Sequence, residues 1–157
     1  MSRSGIGYDS HRLEPGRRFV LAGVEIEHES GPAAHSDGDV LTHALIDALL
    51  GAAALGDIGQ HYPDTDERYA GAASLDLLRD AVAKAAAAGV TPEFADTTVV
   101  CERPKLGPHR DAISTALTEA LGAPVNVKFT TGEGIGFVGR GEGIAALAVV
   151  TASVTAR

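Results

Sequence analysis

The chain has 157 residues, a formal net charge of -8 and a single cysteine. This length suffices for one domain with a real core, and the acidic balance argues against a non-specific nucleic-acid binder, which should be basic. One cysteine allows no internal disulfide, which argues against an extracellular stapled fold, and aromatic residues at 4% are too scarce for base-stacking platforms.

The first residues contain no apolar core of signal-peptide length. The longest apolar run, residues 44–55, is broken by Asp47 and Gly51 and is too short to span a bilayer. We therefore expect a soluble cytoplasmic protein with no membrane partner. An acidic protein that handles an anionic substrate needs local positive charge, which points toward metal ions.

The first predicted strand, residues 4–13, carries two potential metal ligands. Asp9 and His11 are two positions apart, so on a strand both side chains point to the same side. Together with His43 they offer one oxygen and two nitrogen ligands, a zinc set that leaves one coordination position open. The alternative is a surface ion pair between Asp9 and His11 beside a solvated His43, and spacing alone does not decide between the two.

Residues 17–26 predict a hairpin of two short strands, and residues 27–34 predict a polar loop. The following segment, residues 34–59, predicts the helix around which the chain is organised. We place its start near Asp37, with Ser36 or Asp37 as the N-cap and a weak capping box between Ser36 and the residue three positions later. A capped helix start attracts anions such as phosphate.

The residue spacing within this first helix predicts two faces. Asp39, His43 and Asp47 are spaced four residues apart and should lie along one face. The apolar residues should form a second face toward the core; they are Val40, Leu41, Ala44, Leu45, Ala48 and Leu49. We expect Gly56 to end the helix.

A loop rich in Pro, Asp and Gly, residues 60–71, comes next. Asp64 and Asp66 can simply be turn formers in it, although a loop of this length is more often a lid or a binding loop. A second helix, residues 74–88, is predicted to start with Ser74 as its cap. We assign this helix a packing role only.

The second half of the chain predicts a strand over 94–101, a loop over 102–108 and a third helix over 109–121. A strand over 125–130, a glycine-rich turn over 130–134 and a final strand over 144–155 follow. Backbone N–H groups and threonine hydroxyls of the turn suit phosphate oxygens. The order of elements predicts one α/β (α+β) domain over residues 1–157, with a mixed β-sheet and helices packed on one face.

Seven motifs occur in one order along nearly the whole chain. They are Gly5-x-Gly7-Tyr8-Asp9-x-His11-Arg12-Leu13, His35-Ser36-Asp37-Gly38-Asp39-Val40-x-x-His43-Ala44-x-x-Asp47-Ala48-Leu49-Leu50-Gly51, Gly56-Asp57-Ile58-Gly59, Tyr62-Pro63-Asp64-Thr65-Asp66, Arg103-Pro104-Lys105-Leu106, Thr130-Thr131-Gly132-Glu133 and Gly136-Phe137-x-Gly139-Arg140-Gly141-Glu142-Gly143. Together they resemble the 2-C-methyl-D-erythritol 2,4-cyclodiphosphate synthase family. A match of this extent is far more specific than any single motif.

The resemblance implies a lyase of non-mevalonate isoprenoid biosynthesis, which cyclises 4-diphosphocytidyl-2-C-methyl-D-erythritol 2-phosphate and releases CMP. It implies a homotrimer with active sites between neighbouring subunits. It also implies residues at the metals and the reacting phosphates: Asp9, His11 and His43 for zinc, Glu133 for a magnesium or manganese ion, and His35 and Thr131 as transition-state stabilisers.

The resemblance further implies three groups of substrate contacts. Asp57 to Gly59 and the 101–107 loop would hold the cytidine diphosphate, and residues 62–66 with Ser36 would bound the methylerythritol phosphate. Phe137 and Arg140 would line the trimer centre, either around an isoprenoid-like or phosphate ligand or as subunit packing. The full implied set is Asp9, Ser10, His11, His35, Ser36, Asp47, Asp57, Ile58, Gly59, Tyr62, Pro63, Asp64, Thr65, Asp66, Cys101, Glu102, Arg103, Pro104, Lys105, Leu106, Gly107, Thr130, Thr131, Gly132, Glu133, Phe137 and Arg140.

Two positions depart from the family pattern. Gly132 stands where the family often has Ser or Thr, and a backbone N–H could replace that contact. Cys101 stands where alanine is common, and we interpret it as a small buried hydrophobic residue. Two other functions stay open: a zinc-dependent phosphate-ester hydrolase with the same three ligands, and a non-catalytic trimeric module that binds an isoprenoid diphosphate.

Overall fold

A long first strand and a deeply buried helix form the centre of the fold. The computed structural model describes residues 1–155. The strands are β1 (Ser2–Pro15), β2 (Phe19–Leu21), β3 (Val24–Ile26), β4 (Ser30–Pro32), β5 (Val90–Val100), β6 (Val125–Thr130) and β7 (Gly143–Val154). The helices are α1 (Val40–Ala53), α2 (Ile58–His61), α3 (Ser74–Ala87), α4 (Arg110–Leu121) and α5 (Gly136–Gly139).

The main sheet has five strands in the order β4-β1-β7-β5-β6, and β2 and β3 form a separate hairpin. Only β5 and β6 pair in parallel among these neighbours, because α4 provides the crossover that a parallel pair requires. Helix α1 packs on β1, β7 and β5 and also contacts α3, which contacts α4. The predicted mixed sheet with a layer of helices is therefore confirmed.

Two glycines of β1 let helix α1 lie directly against the strand. A Cβ atom on Gly5 would lie 2.0 Å from the Ala48 carbonyl oxygen, and one on Gly7 would lie 1.8 Å from the Ala44 oxygen. Side chains alternate along a strand, so Asp9 and the following odd-numbered residue continue this helix-facing row. The close packing therefore brings the ligands predicted on β1 next to the first turn of α1.

Helix α1 is buried on nearly all sides, which differs from the predicted two-faced helix. Twelve of its fourteen residues are buried, including Thr42 and His43. The leucines of α1 join one continuous hydrophobic core with side chains from α3, α4 and the sheet. A helix that is apolar all round is typical of a position in the middle of a core.

The predicted ends of α1 are wrong. Asp39, and not Ser36 or Asp37, is the N-cap, and its carboxylate accepts hydrogen bonds from the Thr42 N–H at 3.0 Å and the Thr42 hydroxyl at 2.7 Å. The Ser36 capping box does not form. The helix ends at Ala54, which takes the left-handed conformation with φ 57°, before Gly56 is reached.

Other boundaries shift in smaller ways. The predicted polar loop over 27–34 contains the short strand β4, and the loop over 60–71 contains the last residues of α2 and a 3-10 turn, Glu67–Tyr69. Helix α3 begins at Ser74 as expected, but its cap position is Ala73, which has no side-chain cap. Within residues 1–155, no helix combines the length and the apolar character that a bilayer crossing requires.

Candidate active site and metal centre

Asp9, His11 and His43 converge on one point. Asp9 Oδ2 lies 2.9 Å from His11 Nε2 and 3.1 Å from His43 Nδ1, and the two nitrogens are 3.3 Å apart. Among residues 1–155 this is the one group of three or more His, Cys, Asp or Glu side chains arranged to hold a metal ion. Tetrahedral bonds of about 2.0–2.1 Å place ligand atoms roughly 3.3 Å apart, so the three atoms fit one divalent cation.

The electrostatics of the triad favour a bound cation. Burial alone would raise the pKa of Asp9, but hydrogen bonds from His11 and His43 lower it to about 2. Burial would lower the pKa of His43, but the hydrogen bond with Asp9 and nearby carboxylates raise it overall. Asp9 is therefore ionised at neutral pH, and its negative charge favours a cation at this point.

A hydrogen-bonded chain supports His43 from behind. Its Nε2 lies 2.8 Å from the Ser74 hydroxyl and 3.0 Å from the Ser36 hydroxyl. Ser74 donates its own hydroxyl proton to Asp37, whose carboxylate also accepts the Ser74 N–H at 2.9 Å. Partners of this kind orient the histidines that bind metals. The packing-only role predicted for the second helix therefore missed the contact of its first residue with a metal ligand.

The triad lies in a cavity of about 450 Å³. Several residues predicted to contact substrate line this cavity: His35, Ser36, Ile58, Gly59, Tyr62, Pro63 and Asp64. The exposed His35 has its Nε2 3.2 Å from the Asp66 backbone oxygen. Tyr62 donates its hydroxyl to Asp80 at 2.5 Å, and Lys84 lies over its ring at 4.4 Å. These contacts hold the start of the 62–66 loop against α3.

A second cavity, of about 270 Å³, lies where the parallel strands β5 and β6 end. The carboxyl ends of parallel strands are common places for ligands. Its walls contain most of the 101–107 loop predicted to hold the nucleotide, which is Cys101, Glu102, Pro104, Lys105, Leu106 and Gly107. They also contain Thr130 and Thr131, which were predicted as other substrate contacts. Cys101 is buried, and burial raises the pKa of its thiol to about 12, so it is the buried hydrophobic residue that we expected.

The glycine-rich turn after β6 differs from the predicted phosphate cradle. The N–H groups of Gly132 and Gly134 donate to the Glu102 carboxylate at 2.8 and 3.3 Å, and the Glu133 N–H donates to the Thr131 hydroxyl oxygen at 3.2 Å. These backbone donors are therefore occupied within the chain. The exposed Thr131 hydroxyl and Glu133 carboxylate are the groups of the turn that can meet a ligand.

Residues 2–153 match the sequence profile of the YgbB family. The chain belongs to the YgbB family. A relative from Salinibacter ruber named 2-C-methyl-D-erythritol 2,4-cyclodiphosphate synthase is 55% identical over 152 residues, which are 95% of this chain and 97% of that protein.

Solved structures of the same kind match the fold. A 2C-methyl-D-erythritol-2,4-cyclodiphosphate synthase in a CDP-bound form has a TM-score of 0.88 and 43% identity, over 96% of this chain and 100% of that one. The bifunctional IspDF from Campylobacter jejuni has a TM-score of 0.94 and 42% identity, over 99% of this chain but only 43% of that longer chain. This chain therefore spans less than half of the length of IspDF.

Some predicted site residues of this YgbB-family chain have structural partners within the chain. Asp47 accepts a hydrogen bond from the Ile58 N–H at 3.0 Å, and Asp57 caps α2 in a capping box with Gln60. Asp66 forms an ion pair with Arg68 at 2.6 Å. These carboxylates fix the two segments on either side of the first cavity.

Other predicted residues lie away from both cavities. Ser10 is exposed and points to the opposite face of β1 from its two neighbours, and Thr65 and Arg103 are also exposed. Arg140 forms an ion pair with Glu142 at 3.2 Å, and the nearby Phe137 is 39% exposed. In a single YgbB-family chain these side chains are therefore separate from the metal triad.

Proposed function

We propose that this chain catalyses the cyclisation of 4-diphosphocytidyl-2-C-methyl-D-erythritol 2-phosphate to 2-C-methyl-D-erythritol 2,4-cyclodiphosphate, with release of CMP. It is a lyase of non-mevalonate isoprenoid biosynthesis. The observation that carries this function is the Asp9, His11 and His43 triad in a cavity, within a chain so similar to synthases of that name. A hydrolase with the same ligands finds no support among these relatives.

Zn²⁺ is the metal that we propose for the triad, since one carboxylate and two imidazoles are typical of open zinc sites. We propose Mg²⁺ or Mn²⁺ for Glu133, because these ions prefer carboxylate oxygens. When bound, such ions neutralise charge on the diphosphate and polarise its phosphorus–oxygen bonds.

The reaction needs no nucleophile from the protein. An oxygen of the 2-phosphate forms a new bond to the β-phosphorus, while the bond from that phosphorus to the bridging oxygen breaks and its electron pair leaves with CMP. Catalysis of phosphoryl transfer rests on positioning and charge neutralisation. In this proposal the His35 imidazole and the Thr131 hydroxyl donate hydrogen bonds to the phosphate oxygens as negative charge shifts among them.

Two loops would bind the rest of the substrate. The second cavity and residues 57–59 would hold the cytidine diphosphate, and a relative that was solved with CDP supports a ligand of this type. Residues 62–66 and Ser36 would bound the methylerythritol phosphate, and the position of this loop at the first cavity supports that assignment.

A homotrimer with active sites between subunits is part of this proposal. The two cavities share no lining residue within residues 1–155, which favours a complete site assembled from two copies. The sheet face away from the helices exposes an apolar patch of five residues, Ile6, Tyr8, Phe94, Leu147 and Val149. A patch of this kind is typical of an interaction surface.

Three further proposals concern the whole chain. We propose that residues 1–157 act as a single domain, supported by the one hydrophobic core, although residues 156 and 157 lie outside the described part. A cytoplasmic location stays a prediction, as does a role of Phe137 and Arg140 around a ligand on the trimer axis.

The test is turnover of the diphosphocytidyl substrate, followed by ³¹P NMR. Protein loaded with zinc and magnesium should produce the cyclic diphosphate and CMP, and removal of the metals with a chelator should abolish this. His43→Ala should lose activity, whereas Glu119→Ala, on an exposed position of α4, should keep it. Release of inorganic phosphate would indicate the hydrolase, and binding of an isoprenoid diphosphate without turnover would indicate the non-catalytic module.

A further inference from the structure

Glu102 joins two loops through its carboxylate. It lies two residues after the end of β5, and its Oε2 and Oε1 accept the N–H groups of Gly132 and Gly134 at 2.8 and 3.3 Å. One carboxylate thus binds two donors of the turn that follows β6. Both oxygens are used in this way, so the carboxylate is fixed to the turn at the wall of the second cavity.

The turn that Glu102 holds has a demanding backbone. Glu133 is a non-glycine residue with φ 52°, a conformation that persists only when its surroundings fix it. A Cβ atom on Gly132 would lie 2.6 Å from the Gly139 nitrogen, so the turn also packs closely against α5. Loss of the Glu102 carboxylate would leave the Gly132 and Gly134 N–H groups without this partner.

The same turn carries two proposed functional side chains. The Thr131 hydroxyl oxygen accepts the Glu133 N–H at 3.2 Å, and the Thr131 Oγ1 lies 3.5 Å from the Glu133 carboxylate. Their relative placement therefore depends on the backbone between them. Glu102 binds that backbone on both sides of Glu133.

We propose that Glu102 is a positioning residue that fixes Thr131 and Glu133 for the phosphoryl transfer and couples their turn to the 101–107 loop. The inference rests on the proposed cyclase function. It replaces the substrate contact predicted for Glu102 with an indirect role. It also explains how a flexible glycine-rich turn can hold its threonine and glutamate at one place, since an internal anion occupies the backbone donors that would otherwise bind phosphate.

The kinetic test compares Glu102→Ala and Glu102→Gln with the parent protein while magnesium is varied. Glu102→Ala should lower kcat about tenfold or more and raise the half-saturating magnesium concentration, with the substrate KM within about threefold, because positioning acts on the transition state. Glu102→Gln keeps one acceptor oxygen, so its kcat and its half-saturating magnesium concentration should lie between those of Glu102→Ala and the parent. A large rise in KM with unchanged kcat and magnesium dependence would show a direct substrate contact and overturn the proposal. Values of KM, kcat and magnesium dependence equal to those of the parent would also overturn it.

A second measurement does not depend on turnover. Hydrogen–deuterium exchange of a peptide that spans residues 130–136 should be faster in Glu102→Ala than in the parent, because the Gly132 and Gly134 N–H groups lose their acceptor. Unchanged exchange would overturn the positioning role. The matched control is Glu119→Ala, which removes an exposed carboxylate on α4 and should leave exchange and kinetics at parent values.

The two proposals fail in distinguishable ways. If the parent protein makes no cyclic diphosphate, the proposed function fails, while the exchange experiment still decides whether Glu102 holds the turn. If the parent is active and the exchange of the 130–136 peptide is unaffected by Glu102→Ala, only the positioning role fails. Zinc bound by the triad should stay at the parent level in both Glu102 variants, since Glu102 is not one of the three ligands.

Discussion

The hydroxyl of Ser74 decides which nitrogen of His43 faces the metal. The Ser74 hydroxyl donates its hydrogen bond to Asp37, so toward His43 Nε2 its oxygen can only accept a hydrogen bond. With a metal bound, the ring would carry its hydrogen on Nε2 and would present an unprotonated Nδ1 to the cation. Such outer partners both orient a metal-binding histidine and select its tautomer.

Ser74→Ala should therefore weaken zinc binding. We expect the affinity to fall about 10- to 100-fold, the usual effect of losing an outer hydrogen-bond partner of a metal ligand, with Ser36 providing partial compensation. Competition with a chromophoric chelator measures the affinity. Thr115→Ala, at an exposed position of α4, should bind zinc as the parent does, and equal affinities in the two variants would refute this role.

Cys101 should be unreactive in the folded protein across the neutral range. Burial raises the pKa of its thiol to about 12, so at pH 8 only about one thiol in ten thousand is the reactive thiolate. Because the folded pKa is raised, its contribution to stability is present below the ordinary pKa near 8.5 and is lost as the pH rises toward 12.

Alkylation with iodoacetamide, followed by mass spectrometry, checks this. Modification at pH 8 should be much slower in native protein than in denaturant, and the native rate should rise with pH. Equal rates in both states at pH 8 would contradict the burial of the thiol.

The sequence predicted some functional residues better than others. Asp9 and His11 could be paired because strand alternation alone puts them on one side. The contacts of Ser74 with His43 and of Glu102 with the glycine-rich turn were not predicted, since these partners are 31 and 30 residues away in the chain. Periodicity describes neighbours within one element, and these contacts arise only when separate elements pack.

At the scale of elements, the fit between β1 and α1 builds the metal centre. Gly5 and Gly7 lie under Ala48 and Ala44, and because the two glycines have no side chain, strand and helix touch through their backbones. The same helix-facing row of β1 residues continues to Asp9, which lies opposite the first turn of the helix. The function of these glycines could be found only from the packing.

Gly7→Ala should damage both stability and zinc binding. A Cβ atom there would lie 1.8 Å from the Ala44 oxygen, so β1 must move away from α1. We expect the free energy of unfolding to fall by about 3 kcal/mol, near the upper end of the usual cost of overpacking, and zinc affinity to fall with it. Urea denaturation and chelator competition measure the two effects.

A matched glycine provides the control for stability. A Cβ atom on Gly107 would meet nothing within 4 Å, so Gly107→Ala should unfold at a urea concentration close to that of the parent. If Gly7→Ala were as stable as Gly107→Ala, the close approach of β1 and α1 would not be important for the fold.

Elements with a clear period were predicted well, and elements fixed by tertiary packing were not. Strand β6 has the predicted bounds because apolar and polar residues alternate through it. Helix α1 was placed correctly as an element and its predicted apolar face is buried, but the burial of its other sides was not predicted. Its N-cap was also misplaced, since several acceptors precede the helix and local sequence does not rank them.

At the scale of the whole molecule, we propose an active site assembled from more than one chain. The candidate metal triad and the second cavity are separate in one copy, and the outer face of the sheet exposes an apolar patch. In this patch Tyr8 pairs with Leu147 and Ile6 with Val149 across β1 and β7. The neighbouring exposed side chains form a continuous surface that another copy can cover.

A charge placed in this patch should separate the subunits. Leu147→Asp should reduce the sedimenting mass from three times the 16.1 kDa chain to a single chain, because burying an unpaired carboxylate in an interface costs several kcal/mol. Cyclase activity should be lost while zinc binding persists, since all three ligands come from one chain. Ala112→Asp on α4 is the control, and an active monomer would contradict the shared site.

The most direct test of the whole account is the position of zinc in a crystal of the zinc-loaded protein, read from anomalous scattering at the zinc edge. We expect one strong peak per chain, about 2.0–2.2 Å from Asp9 Oδ2, His11 Nε2 and His43 Nδ1, and no peak there in His43→Ala. A zinc peak bound by other residues, with these three side chains free of metal, would contradict it.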